Sequence, residues 1–350
     1  MTNSRVSHPL GNSTGIVKRM TGLFRVVVFI IIGAGAARSA DFDYFLTGSA
    51  ADVERKQTEG ALMLMGGGGF VDDAFRWFIQ KAGGGDLVVL KATDGETTEN
   101  ESYGDYLYGT LGGCDSVETI VFHNRAASAD PKILQSIKNA DGIFLGGGAQ
   151  RRYVDYWKGT PVGAALDAHV RAGRPLGGSS AGLAVLGQVC YTAQVTARLT
   201  SEIAMKNPFD RSLTFEHDFL HLELMRGVIT DTHFSTRSRL GRLITFVARQ
   251  ATEQHMEHLL GIGVDEKTAL CLEASGIGRV FTTTPEGRAW LVTPEQAPEV
   301  LKAGQPLTYR EVKVIGAGPA STVDIRKRAV ENPAAVTKVS ILAGQMSAER

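Results

Sequence analysis

The residues best suited to chemistry are a glycine-flanked serine and a histidine downstream of it. Gly178-Ser179-Ser180-Ala181-Gly182 matches Gly-x-Ser-x-Gly, the spacing of a nucleophile elbow between a strand and a helix. A tight turn there lifts the Ser180 hydroxyl out of the backbone, and the flanking glycines let the chain bend and a substrate approach. The helix that follows offers its first amides, so the Ala181 N–H can stabilise an oxyanion. Glycine-rich chains also produce this pentapeptide by chance. An activated serine therefore needs a base, and the base an orienting acid. Of eight histidines, His233 directly follows the apolar run Gly227 to Thr230, where parallel α/β folds place their sites. His123 and His169 read as ordinary residues of elements. His217/His221 and His255/His258 share helix spacing, but neither pair forms His-Glu-x-x-His, a thin case for a metal.

The elements that must position these groups are short. Apolar runs at 61–65, 87–90, 119–122, 142–145, 227–230 and 261–264 have the length of buried strands, and Leu176 to Gly178 lead into the elbow. Between them lie helical patterns. Asp72 and Asp73 open a helix with Ala74, Phe75, Phe78, Ile79 and Ala82 on one face, closed by Gly83. Another runs from Pro161, capped by Thr160, to Gly173. Such alternation predicts an α/β fold with a parallel sheet covered on both faces. After Arg279 the runs 280–284, 289–292 and 309–314 are separated by Pro and Gly turns, which predicts a small antiparallel extension. Residues 329–350 read as a tail.

The chain has 350 residues, 43% apolar and 21% charged, with 37 basic against 37 acidic side chains. Disorder is excluded, and a zero balance gives no global reason to bind nucleic acid or an anionic membrane. Glycine is abundant at 41 residues, clustered as in Gly66 to Gly69, without a collagen period. Three well-separated cysteines exclude a disulfide scaffold and a thiolate zinc site. The N-terminus reads as an export signal. Basic residues precede the first acid, Asp41, and an apolar run from Val26 to Ala37 ends in small residues, too short to span a bilayer. Cleavage near residue 40 would give a secreted or periplasmic protein without stable membrane insertion, domain 41–328 and the tail. Met20 is an alternative start, an uncleaved anchor an alternative fate. Asn100-Glu101-Ser102 is a sequon in a eukaryotic host only.

Three motifs together, Gly-Ser-Ser-Ala-Gly at 178–182, Asp231-Thr-His-Phe-Ser-Thr-Arg-Ser-Arg239 and Gly263-Val-Asp-Glu-Lys-Thr-Ala269, resemble those of cyanophycinase-like serine peptidases, relatives of the aspartyl dipeptidases. The Gly66 to Gly69 turn and Phe144-Leu-Gly-Gly-Gly-Ala-Gln150 are similar to two further landmarks. The resemblance runs over roughly residues 60–270. It implies a class I glutamine-amidotransferase-like fold, a three-layer sandwich around a mainly parallel, flavodoxin-like sheet. It also implies serine-type hydrolysis beside aspartyl residues, with cyanophycin, a poly-aspartate whose β-carboxyls carry arginine, as the leading substrate.

Carried onto this chain, the resemblance makes Ser180 the nucleophile and His233 the base. Glu202 is the favoured acid and Asp231 its rival, giving the order Ser, acid, His. Gln150 would line the substrate pocket, although Ala149 stands where relatives often carry an acid and Ser179 where a Thr is usual. Arg237, Arg239 and Arg242 follow His233 at spacings suited to holding a carboxylate. Arg237 is the first choice; a solvated basic face is the rival reading for the other two. Asp265 and Glu266 read as loop-fixing residues without chemistry. The expected path is an acyl-enzyme, with the oxyanion between Ala181 and the amides of Gly67 and Gly68, and with neither metal nor organic cofactor needed. A homodimer is left open. A catalytically inactive secreted protein that binds acidic peptides is the alternative function. A nucleotide-binding oxidoreductase is a weaker one, since no glycine fingerprint or P-loop has the right spacing.

Overall fold

The short apolar runs pair as strands because nearly every residue in them is buried on both faces. The computed structural model describes residues 41–49, 57–93, 102–196, 198–256 and 258–348. The expected signal at 1–40 and Asn100 of the sequon lie outside these residues.

Among the described residues the larger sheet has ten strands. Five are mutually parallel: β2 (Ala61–Met65), β3 (Asp86–Ala92), β4 (Ser116–Phe122), β5 (Gly142–Leu145) and β6 (Leu176–Ser179), in the order β4-β3-β5-β6-β2. β1 (Phe42–Gly48) closes one side, antiparallel to β4. On the other side β11 (Thr268–Glu273), β12 (Ile277–Thr282), β15 (Thr322–Asp324) and β16 (Ala329–Glu331) continue antiparallel.

Strand alternation sends neighbouring side chains to opposite faces. Met63, Met65, Leu87 and Val89 pack with Phe75 and Phe78 of helix α1 (Asp72–Lys81). Leu62, Leu64, Val88 and Leu90 pack in a separate cluster. There they meet Ile133 of α3 (Pro131–Asn139), Tyr153 and Trp157 of α4 (Gln150–Trp157), and Leu166 of α5 (Pro161–Arg171). The short helix α2 (Ser102–Gly104) runs into a π-helical segment at Asp105–Leu111. As the sequence predicted, Thr160 caps α5 through its side chain, with Pro161 at the first helical position.

The second sheet is larger than the sequence suggested. β7 (Cys190–Tyr191) and β8 (Phe215–Glu216) form a separate small ribbon. The six strands of the second sheet are β9 (Val228–Asp231), β10 (Leu260–Val264), β13 (Ala289–Thr293), β14 (Tyr309–Ala317), β17 (Ala335–Leu342) and β18 (Gln345–Ala348), in the order β18-β17-β14-β13-β10-β9. β9 and β10 are parallel, the rest antiparallel. Ile229, Val292, Val314 and Ile341 pack with Leu243 and Val247 of α8 (Leu240–Glu253). Residues 329–348 are therefore not a peripheral tail: β17 pairs along β14 and buries Val339 and Ile341. Their alternation was hidden by Asn332, Pro333 and an exposed first half of the strand. All three cysteines are free and buried, and burial pushes their thiols up.

Candidate active site

The elbow begins where β6 ends. Ser180 takes φ 52° and ψ −113°, a strained conformation for a side-chain-bearing residue, and its amide is tied to the Met65 carbonyl at 3.1 Å. Helix α6 (Ala181–Ala184) starts on the next residue. The two motif glycines are sterically required. A Cβ at Gly182 would lie 2.0 Å from the Leu145 carbonyl oxygen, and one at Gly178 would lie 2.6 Å from the Gly182 carbonyl.

Ser180 Oγ lies 2.8 Å from His233 Nε2. The histidine follows β9 in the other sheet, with φ 45°, and its amide donates to the Gly66 carbonyl at 2.8 Å. His233 Nδ1 lies 2.6 Å from Glu266 Oε1. The imidazole is held below its ordinary pKa. Burial is the main cause; the Glu266 hydrogen bond opposes it, and the Arg237 and Arg239 charges add to it.

The carboxylate on His233 is thus Glu266, not Glu202 or Asp231, and the chain order is Ser, His, acid. Glu202 stands exposed in the first turn of α7 (Ser201–Lys206), where an acid suits the helix dipole. Asp231 is buried and already engaged. It accepts from Arg242 Nε at 2.7 Å and Nη2 at 2.5 Å, and from Arg239 Nη1 at 3.3 Å. Arg239 and Arg242 are therefore neither a solvated face nor a substrate cradle, but a buried network beneath the site. Asp265 does fix loops: it accepts from the Ser235 and Arg288 amides and from Trp290 Nε1. Its neighbour Glu266 points the other way, to the imidazole. The motif at 263–269 carried that acid in plain view. Choosing it required knowing that β9 and β10 are parallel neighbours, Asp231 beside Gly263, so that residues just past their ends meet.

Two glycine turns flank Ser180, one from each neighbour of β6. The Gly67 turn lies on the histidine side: a Cβ at Gly67 would sit 2.6 Å from His233 Cε1, and one at Gly68 2.7 Å from Glu266 Cβ. This turn, expected at the oxyanion, also makes room for the base and its acid, with φ of 95° and 78° at the two glycines; a Cβ at Gly67 would in addition be 3.2 Å from Ser180 Cβ. The turn after β5 brings Gly147 to the opposite flank, where a Cβ would be 3.9 Å from Ser180 Cβ. Gln150 opens α4 just beyond it, donating to the Tyr191 carbonyl at 2.7 Å. It lines a hollow of about 410 Å³ with Gly148, Ala149 and Gln194. Arg237 is exposed, one turn from His233, its amide on the His233 carbonyl at 3.0 Å. The serine, imidazole and carboxylate stand in one line of contacts of 2.8 and 2.6 Å, an arrangement through which a hydroxyl can be deprotonated.

A family model described as Peptidase family S51 matches residues 62–280, more than half of the chain. The chain belongs to this family. Its similar relatives include the cyanophycinase of Trichormus variabilis, 29% identical over 207 residues, or 58% of this chain and 63% of that protein. The cyanophycinase of Synechococcus elongatus is also 29% identical, over 58% of this chain and 59% of that protein. The matched region spans less than two thirds of each of these relatives. Among solved structures, a peptidase from an acI-B1 Actinobacterium superposes with a TM-score of 0.50 at 18% identity, over 77% of this chain and 98% of that chain. That likeness concerns the fold.

Proposed function

We propose that this S51 member is a serine peptidase that cleaves cyanophycin or related aspartyl peptides, with Ser180, His233 and Glu266 as its triad. The observation that carries the reading is the continuous chain of 2.8 and 2.6 Å contacts from the Ser180 hydroxyl through the imidazole to the carboxylate.

In this mechanism Ser180 Oγ attacks a backbone carbonyl carbon next to an aspartyl residue as His233 Nε2 takes the hydroxyl proton. Glu266 keeps the other proton on Nδ1 and stabilises the imidazolium. The oxyanion needs donors on the flank of Ser180 away from the histidine. Ala181 is the first residue of α6, whose amide has no carbonyl one turn back, and the Gly147 turn occupies that flank. Collapse of the tetrahedral species passes the Nε2 proton to the leaving amine, leaving an acyl ester on Ser180. Water, activated by the same imidazole, then releases the acid. Arg237 offers an exposed cation one turn from the base for a substrate carboxylate. In the same reading residues 1–40 act as an export signal, and N-terminal sequencing of the exported protein should begin near Asp41.

The test is release of β-aspartyl-arginine from purified cyanophycin by the protein and by Ser180→Ala. Release by the first and its loss in the second are expected. Should the parent be inert, labelling of Ser180 by a small fluorophosphonate would keep a serine peptidase with another aspartyl substrate. Failure of both assays overturns the proposal in favour of a protein that only binds acidic peptides.

A further inference from the structure

On the α1 face of the larger sheet, next to Ser179 and Gly147, which both neighbour Ser180, the C-terminal ends of three parallel strands surround a hollow of about 210 Å³. Met65 ends β2, Lys91 lies near the end of β3, and Ser179 ends β6. Gly69, Phe70, Tyr103 and Gly147 complete the wall. Strand alternation sets this lining: Met65, Lys91 and Ser179 share the face of Met63, Val89 and Gly177. Lys91 interrupts the buried apolar run from Leu87 to Ala92 and is itself buried. Its stem passes under the turn after β5, where a Cβ at Gly146 would come within 2.8 Å of Lys91 Cγ. Its Nζ lies 5.9 Å from the centre of the Tyr103 ring.

We propose that this hollow is a carboxylate-reading subsite for the side chain of the residue whose carbonyl is attacked, with Lys91 as its cation. The inference rests on the peptidase reading above and adds to its exposed cation, Arg237, a buried determinant for the side chain of the residue whose carbonyl is attacked. Lys91 has interactions within its own chain. The assignment follows from its place in the wall of a cavity adjoining the nucleophile, where an ammonium meets a carboxylate away from bulk water. Two sources share this chemistry: the free β-carboxylate of an aspartyl residue, and the α-carboxylate of an arginine joined to it.

Phosphonate diphenyl esters test the subsite directly. Ser180 Oγ forms a bond to phosphorus as phenoxide leaves, so the labelling rate reports how well each side chain is seated. Three probes carry a carboxymethyl group, its uncharged carbamoylmethyl analogue, or a carboxymethyl group amide-linked to arginine. The parent protein should react at least ~10-fold faster with one carboxylate-bearing probe than with the uncharged one, as expected of a site built around a polar partner. The faster of the two acids identifies the source. Lys91→Met should bring that ratio towards one, and Lys91→Arg should recover part of it. Lys91→Gln serves as the second variant should the methionine protein not fold by circular dichroism. An unbiased parent, or a preference undiminished without the ammonium, overturns the subsite. Loss of all labelling in the parent, including by a small uncharged fluorophosphonate, overturns the peptidase reading and the subsite with it. Labelling by the fluorophosphonate without preference among the three overturns the subsite alone.

Discussion

His233 Nδ1 and Glu266 Oε1 lie 2.6 Å apart although the two residues are separated by 33 positions and follow different strands, β9 and β10. Both strands belong to the smaller sheet, whereas Ser180 follows β6 of the larger one. The candidate site is therefore a junction between sheets, and its geometry depends on the turn at Gly66, whose carbonyl accepts the His233 amide.

This pairing separates Glu266 from Glu202 by experiment. Glu266→Gln should lower kcat by about 10²–10⁴-fold through a mis-supported imidazole. Glu202→Gln should stay within about twofold, as a surface substitution away from the chemistry does. The comparison is made in one cyanophycin or aspartyl-peptide assay. A large loss in the Glu202 variant with an active Glu266 variant would contradict the assignment.

Acid tolerance follows from the burial of His233. The imidazole must be neutral to accept the Ser180 proton, and its pKa in the fold is below the free value of about 6.5. The acid limb of kcat/KM should accordingly fall below about pH 6.5. The Glu266 hydrogen bond raises the pKa against burial, so Glu266→Gln should move the limb further down. The same shift affects stability. As pH falls from about 6.5, the unfolded chain takes up this proton before the folded one, so the native state loses stability through that window. A pH series of Ser180 labelling with an uncharged fluorophosphonate reads the limb, which should not lie at or above 6.5.

The Asp231 network predicts a stability effect instead. Asp231→Ala strands the buried guanidiniums of Arg239 and Arg242, at a cost of roughly 3–5 kcal/mol. Urea melts should show this loss, and a shift under about 1 kcal/mol would mean that the network is solvated. Arg237→Ala changes an exposed side chain and should leave the melt nearly unchanged while raising KM for an acidic substrate.

The elbow tolerates no methyl group. Gly182→Ala sets a Cβ against the Leu145 carbonyl, overpacking that costs about 1–3 kcal/mol and displaces Ser180 from His233. Reduced thermal stability together with slowed Ser180 labelling is expected. Labelling at the parent rate would show that the turn yields without moving the serine.

The sequence by itself determined what is local. Runs of four to seven buried apolar residues specify strands, Pro161 after Thr160 specifies a helix start, and glycines at 178 and 182 specify a turn that only they can make. Ser180 and His233 were legible because each follows a strand, and chemistry-bearing residues at such ends face one edge. Only the tertiary structure decided the rest. Glu202, Asp231 and Glu266 have the same carboxylate chemistry, and no local pattern tells which approaches an imidazole. Parallel pairing of β9 with β10 made that choice, while two arginines engaged Asp231. The split into two sheets, the strands beyond residue 329 and the side of Ser180 on which each glycine turn lies are likewise long-range. Strand partners are selected by burial shared between distant segments, and one segment read alone does not contain its partner.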